Sequence, residues 1–308
     1  MTFTSGAGLG RATGVDEGRR GFLRAAAGVL GGFAVVPGLA ALRGLGGDVG
    51  QLESERRGVG SRTLDRIGIQ LYTVRRLMER DAAGTLAKLA EIGYREVEFA
   101  GLYGKSPRDM RALLDRNRLT APSGHIGTVE MRGDWERTLA DAATLGQRYI
   151  TCAWIDQADR TAYGYRKIAE LFNRSAELAR GAGLQLCYHN HDFEFEKAGD
   201  IVPYDFLLAA CDPQLVKMEM DIFWLVKGGR DPLEYFRRHP GRFPLVHVKD
   251  MDGTGKMVDV GKGTIGFRGI FEHSEEAGIQ HYFVEHDEPK DPLATARASY
   301  DYLRTLEF

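Results

Sequence analysis

The sequence has 308 residues, of which 41 are basic and 43 acidic, giving a formal net charge of -2. This balance gives no reason to expect nucleic acid or an acidic membrane as a partner, because phosphate binding normally requires a basic excess. The three cysteines, Cys152, Cys187 and Cys211, form no CxxC pair. Their spacing argues against a disulfide framework or a cysteine zinc site and favours buried small side chains.

The first 41 residues have the pattern of a cleavable export signal. The run Arg19-Arg20-Gly-Phe-Leu-Arg precedes an uncharged stretch over 25–41 that is rich in Ala and Gly. Adjacent arginines followed by Phe-Leu resemble a twin-arginine signal, which predicts an exported, periplasmic protein. The stretch is marginal for a membrane span, so we expect no stable span after processing; a buried N-terminal helix is the alternative. Residues 42–65, glycine-rich and then charged, are predicted to form a flexible linker.

From residue 66 onward, short β-rich segments alternate with amphipathic helical patterns, several of which end in a glycine. Strands separated by helices predict parallel pairing with right-handed crossovers. Eight units over about 245 residues predict an α/β fold, a (β/α)8 TIM barrel over 66–308. A doubly wound open sheet fits less well, because Gln70 and its neighbours stand where a Gly-rich phosphate turn would follow the first strand. The predicted strands are 67–72, 94–99, 119–125, 149–154, 184–191, 216–221, 244–249 and 281–286.

Polar and ionisable side chains stand at the C-terminal ends of most predicted strands, where TIM barrels have their active sites. Five of the eight histidines occupy such positions, and closure of a barrel would bring them together. The alternative is a polar rim held by internal ion pairs, with no metal. The strand-end residues are Gln70, Glu98, His125, His189, His191, Asp221, His247, Lys249, Glu285 and His286.

Asp221, His247 and Glu285 come from predicted strands six, seven and eight. Two carboxylates and an imidazole suit a divalent ion such as Mn, Zn, Co or Fe. The fourth ligand is expected from strand five, where Glu194 just past the strand and His189 within it are the two candidates. Glu219 shares a strand face with Asp221 but lies deeper, so we place it in the layers of barrel side chains.

Over 66–308 the sequence resembles the sugar phosphate isomerase/epimerase-like, xylose isomerase-type TIM barrels. The resemblance rests on YHNHDFEF at 188–195, KMEMDIFW at 217–224, PLVHVKDMD at 244–252, VGKGTIGF at 260–267 and FVEHD at 283–287. It implies one divalent ion, with magnesium a further choice, held by a Glu, an Asp, a His and a second Glu at the ends of late strands.

Asp221, His247 and Glu285 match the last three of these ligands. At the first, many relatives have a Glu where this chain has His189, so either His189 has replaced it or Glu194 reaches in from the loop. His191 matches a histidine that in relatives stands beside the metal and contacts substrate or transfers a proton.

The predicted function is that of a metal-dependent isomerase or epimerase of a sugar or cyclitol, or of a keto-glycoside lyase or hydratase. The reaction would begin with abstraction of the proton next to a carbonyl, with Glu285 or Glu194 as the base and His191 as a relay. Lys249 is predicted to hydrogen-bond a substrate oxygen, with a surface ion pair to Asp250 as the alternative. Substrate-binding residues are predicted at His125, His189 and Trp224, the last as an apolar wall together with Phe193.

Export favours free sugars, keto-glycosides or cyclitols as small-molecule substrates, because phosphorylated sugars are cytoplasmic metabolites. Three other functions are compatible with the same rim: a non-catalytic sugar-binding barrel, a metal-dependent endonuclease-like hydrolase, and a hydrolase that uses two carboxylates without metal. The balanced charge argues against the nuclease. A homo-oligomer is also compatible with the sequence.

Overall fold

A computed structural model describes residues 61–308 of the chain. The predicted signal segment and most of the predicted linker lie outside the described residues. The last residues of that linker, 61–65, are described, and there Arg62 exchanges two backbone hydrogen bonds with Phe308, at 2.8 and 2.9 Å. Among the described residues, none of the helices combines the length and the apolar content needed to cross a bilayer.

Eight parallel strands close into a barrel, which confirms the predicted fold. Each barrel strand pairs with the one before it and the one after it along the chain, and the first pairs with the last, Gly68 lying opposite Phe283. A separate antiparallel hairpin interrupts the series after the seventh strand. The strands are β1 Gly68–Gln70, β2 Glu96–Phe99, β3 Thr120–Gly127, β4 Tyr149–Trp154, β5 Gln185–His189, β6 Val216–Asp221, β7 Leu245–Val248, the hairpin strands β8 Asp250–Met251 and β9 Met257–Val258, and β10 His281–Val284.

The helices begin and end where local chemistry predicts. Ser106, Asp134 and Thr161 each accept a backbone N–H of the first turn of the helix that follows. Gly146 and Gly278 end helices with φ of 80°, a left-handed conformation in which glycine carries no steric penalty. The α-helices are α1 Arg75–Ile92, α2 Pro107–Arg116, α3 Thr128–Arg132, α4 Trp135–Leu145, α5 Ala162–Gly181, α6 Pro203–Ala210, α7 Ile222–Lys227, α8 Pro232–Arg238, α9 Phe267–Phe271, α10 Ser274–Ala277 and α11 Pro292–Leu303, and short 3₁₀ helices cover Leu71–Val74, Gln157–Asp159 and Phe193–Phe195.

The interior of the barrel changes from apolar to ionisable along the strands. Tyr149, Cys187, Leu245 and Phe283 form a buried apolar cluster separate from the main core between strands and helices. Because side chains alternate along a strand, the same face recurs two residues later, closer to the C-terminal end of the barrel. Those positions carry Thr151, His189, His247 and Glu285. Strand alternation alone therefore places these four polar or ionisable residues above the apolar cluster.

Asp250 anchors the loop that follows the seventh barrel strand. Its carboxylate accepts four backbone N–H groups, from Met251, Gly261, Gly263 and Ile265, at 2.8 to 3.2 Å. A Cβ at Gly263 would lie 2.2 Å from Asp250 Oδ1, which explains a glycine there. The sequence pattern did not predict the β8–β9 hairpin at the base of this loop, because two-residue strands are too short to show a period.

Replacing Asp250 with alanine should lower the free energy of unfolding by about 3 kcal/mol or more, since each backbone group left without its partner costs about 1–3 kcal/mol. Denaturant unfolding followed by circular dichroism measures the loss. Asp252 is the matched control: it accepts backbone N–H groups of Thr254 and Lys256 in the same loop but is only partly buried, whereas Asp250 is buried. The D252A variant should lose much less; equal losses would contradict the role given to Asp250.

Candidate active site

Four ionisable side chains meet at the C-terminal end of the barrel: His189, Asp221, His247 and Glu285. Each offers one ligand atom, and these atoms all lie within 4.8 Å of one another. His189 Nε2 is 3.2 Å from Asp221 Oδ2 and 3.1 Å from His247 Nδ1, and the latter atom is 2.7 Å from Glu285 Oε2. We call these four residues the mouth cluster. The structure thus brings together the three residues that the sequence placed on one ion, and their role as ligands remains a prediction.

Strand five contributes His189 to this cluster and does not contribute Glu194. The Glu194 carboxylate accepts hydrogen bonds from the Tyr188 hydroxyl and, at 2.8 Å, from the backbone N–H of His191. Tyr188 precedes His189 and points to the opposite face of the strand, where its ring packs 5.3 Å from that of Phe172 in α5. Glu194 therefore lies between barrel and helices. The structure does not bring Glu194 into the mouth cluster, where it was predicted as metal ligand and base, and shows it holding the turn that carries His191.

The pH dependence of stability should report the burial of Glu194. Burial raises the pKa of Glu194 to about 7, whereas an unfolded glutamate titrates near 4.3. The protonated side chain therefore favours folding in full below pH ~4.3, and this contribution declines as pH rises and is gone above ~7. The unfolding free energy of the wild type minus that of E194Q should fall by up to about 3 kcal/mol between pH 4.5 and 8. A constant difference in denaturant titrations would contradict this.

A second group of ionisable side chains lies directly behind His247, and the sequence pattern did not predict that they meet. His247 Nε2 is 2.6 Å from Glu98 Oε2, and His125 Nε2 is 2.7 Å from Glu219 Oε2 and 3.3 Å from Glu98 Oε2. We call Glu98, His125 and Glu219 the buried array. Glu219 occupies the deeper barrel layer that was expected. Glu98 was noted only as a strand end, although its position on an inward face could have identified it.

Electrostatics give the imidazoles different charges. Burial by itself would lower the pKa of His125, but the charges of Glu98 and Glu219 outweigh it and raise that pKa to about 9. Burial, followed by the charge of Glu98, raises the pKa of Glu219 to about 7. Burial, with the charges of His247 and His125, holds the pKa of His189 well below its usual range. At neutral pH His125 is therefore an imidazolium. His189 is a neutral imidazole, and its unprotonated ring nitrogen can bind a metal ion.

Lys249 is a buried cation at the edge of the mouth cluster, with 2% of its surface exposed. Its Nζ lies 3.0 Å from Asp221 Oδ2, 2.8 Å from Glu285 Oε2 and 2.9 Å from Asp287 Oδ1. Burial alone would lower the pKa of Lys249, but these three charges raise it well above its usual range, so the ammonium persists. The alternative of a surface ion pair with Asp250 is wrong, since that carboxylate is taken by loop amides.

The donor set of the mouth cluster fits a divalent first-row ion. Magnesium and calcium prefer oxygen ligands, so two imidazoles beside two carboxylates favour Mn, Fe, Co or Zn. Burial by itself would lower the pKa of His247, but the charges of Glu219 and Glu285 raise it well above its usual range. An ion bound at Nδ1 must therefore displace a proton from His247, and metal affinity should rise with pH.

A cavity of about 480 Å³ opens over the mouth cluster, within the range of roughly 300–1,000 Å³ usual for small-molecule sites. His125, Lys249 and Glu285 belong to its lining. Two aromatic side chains on its rim are unusually exposed, Tyr72 at 40% and Trp154 at 49%. Exposed aromatic faces beside a polar floor suit a polyol ring, which has apolar C–H faces and polar edges.

His191 faces the cavity over the mouth cluster, whereas Trp224 does not. His191 lines the cavity, and burial, with the charges of His189 and Lys249, lowers its pKa to about 2, so its ring is neutral. Trp224 packs behind His191, with ring centroids 5.8 Å apart, and is not among the residues that line the cavity. The structure therefore does not place Trp224, the predicted substrate wall, on this cavity. Trp154, exposed and 5.4 Å from the His191 ring, holds that place.

Comparisons with known proteins agree with this architecture. An inosose dehydratase of Lacticaseibacillus casei is 24% identical over 255 residues, which cover 68% of this chain and 85% of that protein. A solved sugar phosphate isomerase/epimerase of Parabacteroides distasonis has a TM-score of 0.70 at 26% identity, covering 78% of this chain and 98% of that one. A solved L-ribulose 3-epimerase shares the fold at a TM-score of 0.60 and 16% identity, covering 78% and 93%.

The named relatives are enzymes, and this chain is an enzyme as well, which removes the non-catalytic sugar-binding barrel from the alternatives. The family model described as xylose isomerase-like TIM barrel matches residues 86–306, most of the part that the structure describes. The chain belongs to the xylose isomerase-like TIM barrel family.

Proposed function

We propose that the protein is a divalent-metal-dependent enzyme that removes the proton next to the ketone of a sugar or cyclitol, after which water is lost. The observation that carries the proposal is the mouth cluster with the Lys249 ammonium beside it, at the floor of a polyol-sized cavity. Similarity to enzymes named inosose dehydratases supports loss of water as the outcome. The solved isomerase/epimerase supports epimerisation as the second candidate.

The chain's own residues supply the proton transfer and the charge stabilisation. Glu285 directs Oε2 at His247 and Lys249, which leaves Oε1 for the substrate proton. Burial would raise the pKa of Glu285, but the charges of Lys249 and His247 hold it well below its usual range, so the base is ionised. Lys249 places a fixed positive charge beside the oxygen that becomes negative as the proton leaves. His191, neutral and in the same cavity, relays the proton to the departing hydroxyl, which leaves as water.

The mouth cluster would hold the metal ion. When bound, the ion supplies Lewis-acid polarisation of substrate oxygens. His189, neutral in this setting, and the two carboxylates are ready to act as ligands, whereas His247 must first release a proton. Metal-dependent activity should accordingly fall at low pH.

An unphosphorylated substrate is part of the proposal. Among the described residues that line the cavity none is an arginine, and the single lysine, Lys249, is already paired with three carboxylates. Phosphate sites normally use arginine forks or free lysines. Export to the periplasm, which we propose from the twin-arginine pattern of 1–41, agrees with a free polyol substrate.

Proton NMR in deuterated water tests the proposal. Mn²⁺- or Zn²⁺-loaded protein is incubated with a panel of keto-cyclitols, keto-sugars and keto-glycosides. We expect solvent deuterium at the carbon next to the ketone and a dehydrated product from at least one compound, with neither in chelator-treated protein. Turnover that survives complete metal removal, or product formed without exchange or loss of that proton, would contradict the proposal.

A further inference from the structure

A carboxylate stands directly behind His247. Glu98 Oε2 is 2.6 Å from His247 Nε2, across the ring from Nδ1, the atom that faces Glu285 and His189. Glu98 and His247 are both completely buried. The same Glu98 oxygen accepts a hydrogen bond from Gln70 Nε2 at 2.9 Å, so both Gln70 and His247 present nitrogen atoms to it.

The hydrogen-bond roles in this chain of contacts are fixed from the backbone outward. The backbone N–H of Tyr72 donates to Gln70 Oε1 at 3.0 Å, so the amide nitrogen of Gln70 must face Glu98. Glu98 Oε2 accepts this N–H, and the same oxygen faces ring nitrogens of His247 and His125. A carboxylate oxygen in that position acts as a hydrogen-bond acceptor. The His247 nitrogen opposite it must then carry a hydrogen, so the proton that His247 gives up when an ion binds is the one on Nδ1.

We propose that Glu98 is a positioning residue that holds the hydrogen of His247 on Nε2 and so presents Nδ1 to the divalent ion. The inference rests on the proposed function, because it assumes that the mouth cluster binds such an ion. Metal-ligating histidines usually donate their second N–H to a carboxylate or carbonyl, and loss of that partner costs about 10- to 100-fold in metal affinity or activity. Without Glu98, His247 can lose its Nε2 hydrogen instead and keep the one on Nδ1, which faces Glu285 at 2.7 Å, so that the ligand atom stays blocked.

The same strand offers a matched control. Two residues before Glu98, Glu96 Oε2 lies 2.7 Å from His281 Nδ1, in another carboxylate–histidine pair. Glu96 is 2% exposed, and His281 begins the last barrel strand, outside the mouth cluster. E96Q thus removes a largely buried carboxylate–imidazole contact of a similar kind without touching the proposed ligands.

Zinc affinity, measured by competition with a chelator, tests the inference on the full chain and on the variants E98Q, E98D and E96Q. Circular dichroism and thermal unfolding establish that each variant is folded. E98Q should bind Zn²⁺ about 10- to 100-fold more weakly than the wild type, and E96Q as tightly as the wild type. E98D keeps an acceptor-only carboxylate and should bind more tightly than E98Q, although glutamine is closer to glutamate in shape.

Nitrogen NMR of histidine-labelled, Zn²⁺-loaded wild type gives a readout that needs no variant to fold. We expect His247 with zinc on Nδ1 and hydrogen on Nε2. The opposite tautomer, or E98Q affinity equal to that of E96Q, would overturn the inference and leave the proposed function intact. Wild-type protein without measurable zinc affinity would overturn the proposed function and this inference together.

Discussion

Asp221→Asn is expected to lower Zn²⁺ affinity and turnover by at least about 100-fold while the fold stays intact, because a metal ion contributes several kcal/mol to charge stabilisation. The two carboxylate oxygens of Asp221 have separate tasks. Oδ2 faces His189 in the mouth cluster, and Oδ1 accepts the backbone N–H of Trp224 as the N-cap of α7. Asparagine is an equally good N-cap, so the variant should keep the helix and lose the charged ligand.

Chelator competition, solvent-exchange rates and thermal unfolding measure the three effects. Asp231→Asn is the control, since Asp231 caps α8 through the backbone N–H of Leu233 and lies outside the mouth cluster. That variant should match the wild type in affinity and turnover. Wild-type zinc affinity in D221N would remove Asp221 from the ligand set.

Lys249→Met is expected to reduce turnover by about 10²- to 10³-fold and to strengthen metal binding. The two effects have opposite signs because the ammonium stabilises negative charge in the reaction but competes with the ion for Asp221 Oδ2 and Glu285 Oε2. Without it, three carboxylates lose their shared counter-charge, so added Zn²⁺ should raise the thermal stability of K249M more than that of the wild type.

Single-turnover rates at saturating Zn²⁺ and chelator competition separate the two effects. Lys227→Met is the surface control, since that ammonium contacts Asp192 at 3.8 Å on an exposed edge. K227M should leave both quantities unchanged. A parallel loss of turnover and metal affinity in K249M would show that Lys249 only holds the cluster together.

The barrel could be predicted from the sequence because its strands follow a simple period and end at turn residues. Predicted segments 149–154 and 216–221 coincide with β4 and β6. The prediction of 184–191 ran two residues too far, since β5 ends at His189 and the chain then turns through a 3₁₀ helix at Phe193–Phe195. That turn is held by hydrogen bonds of Glu194 to Tyr188 and His191, which the period of the strand does not predict.

Site residues at the C-terminal ends of strands could be predicted from the sequence. Residues deeper in the barrel, and those on loops, could not. Asp221, His247 and Glu285 converge because neighbouring parallel strands finish at one rim. Glu98 and Glu219 approach each other inside the barrel only because neighbouring strands are staggered, and this stagger cannot be read from the sequence. Glu194 was predicted on the wrong side of strand five, because a single turn of the chain decides whether a loop residue faces the barrel interior or the helices.

A crystal structure of the Zn²⁺-loaded protein, with the ion located by anomalous scattering, tests whether the mouth cluster is the metal site. We expect one ion at about 2.0–2.2 Å from donor atoms of His189, Asp221, His247 and Glu285, with Nδ1 as the His247 ligand. An ion bound away from these four side chains, or held by Glu194 with His189 turned aside, would contradict it.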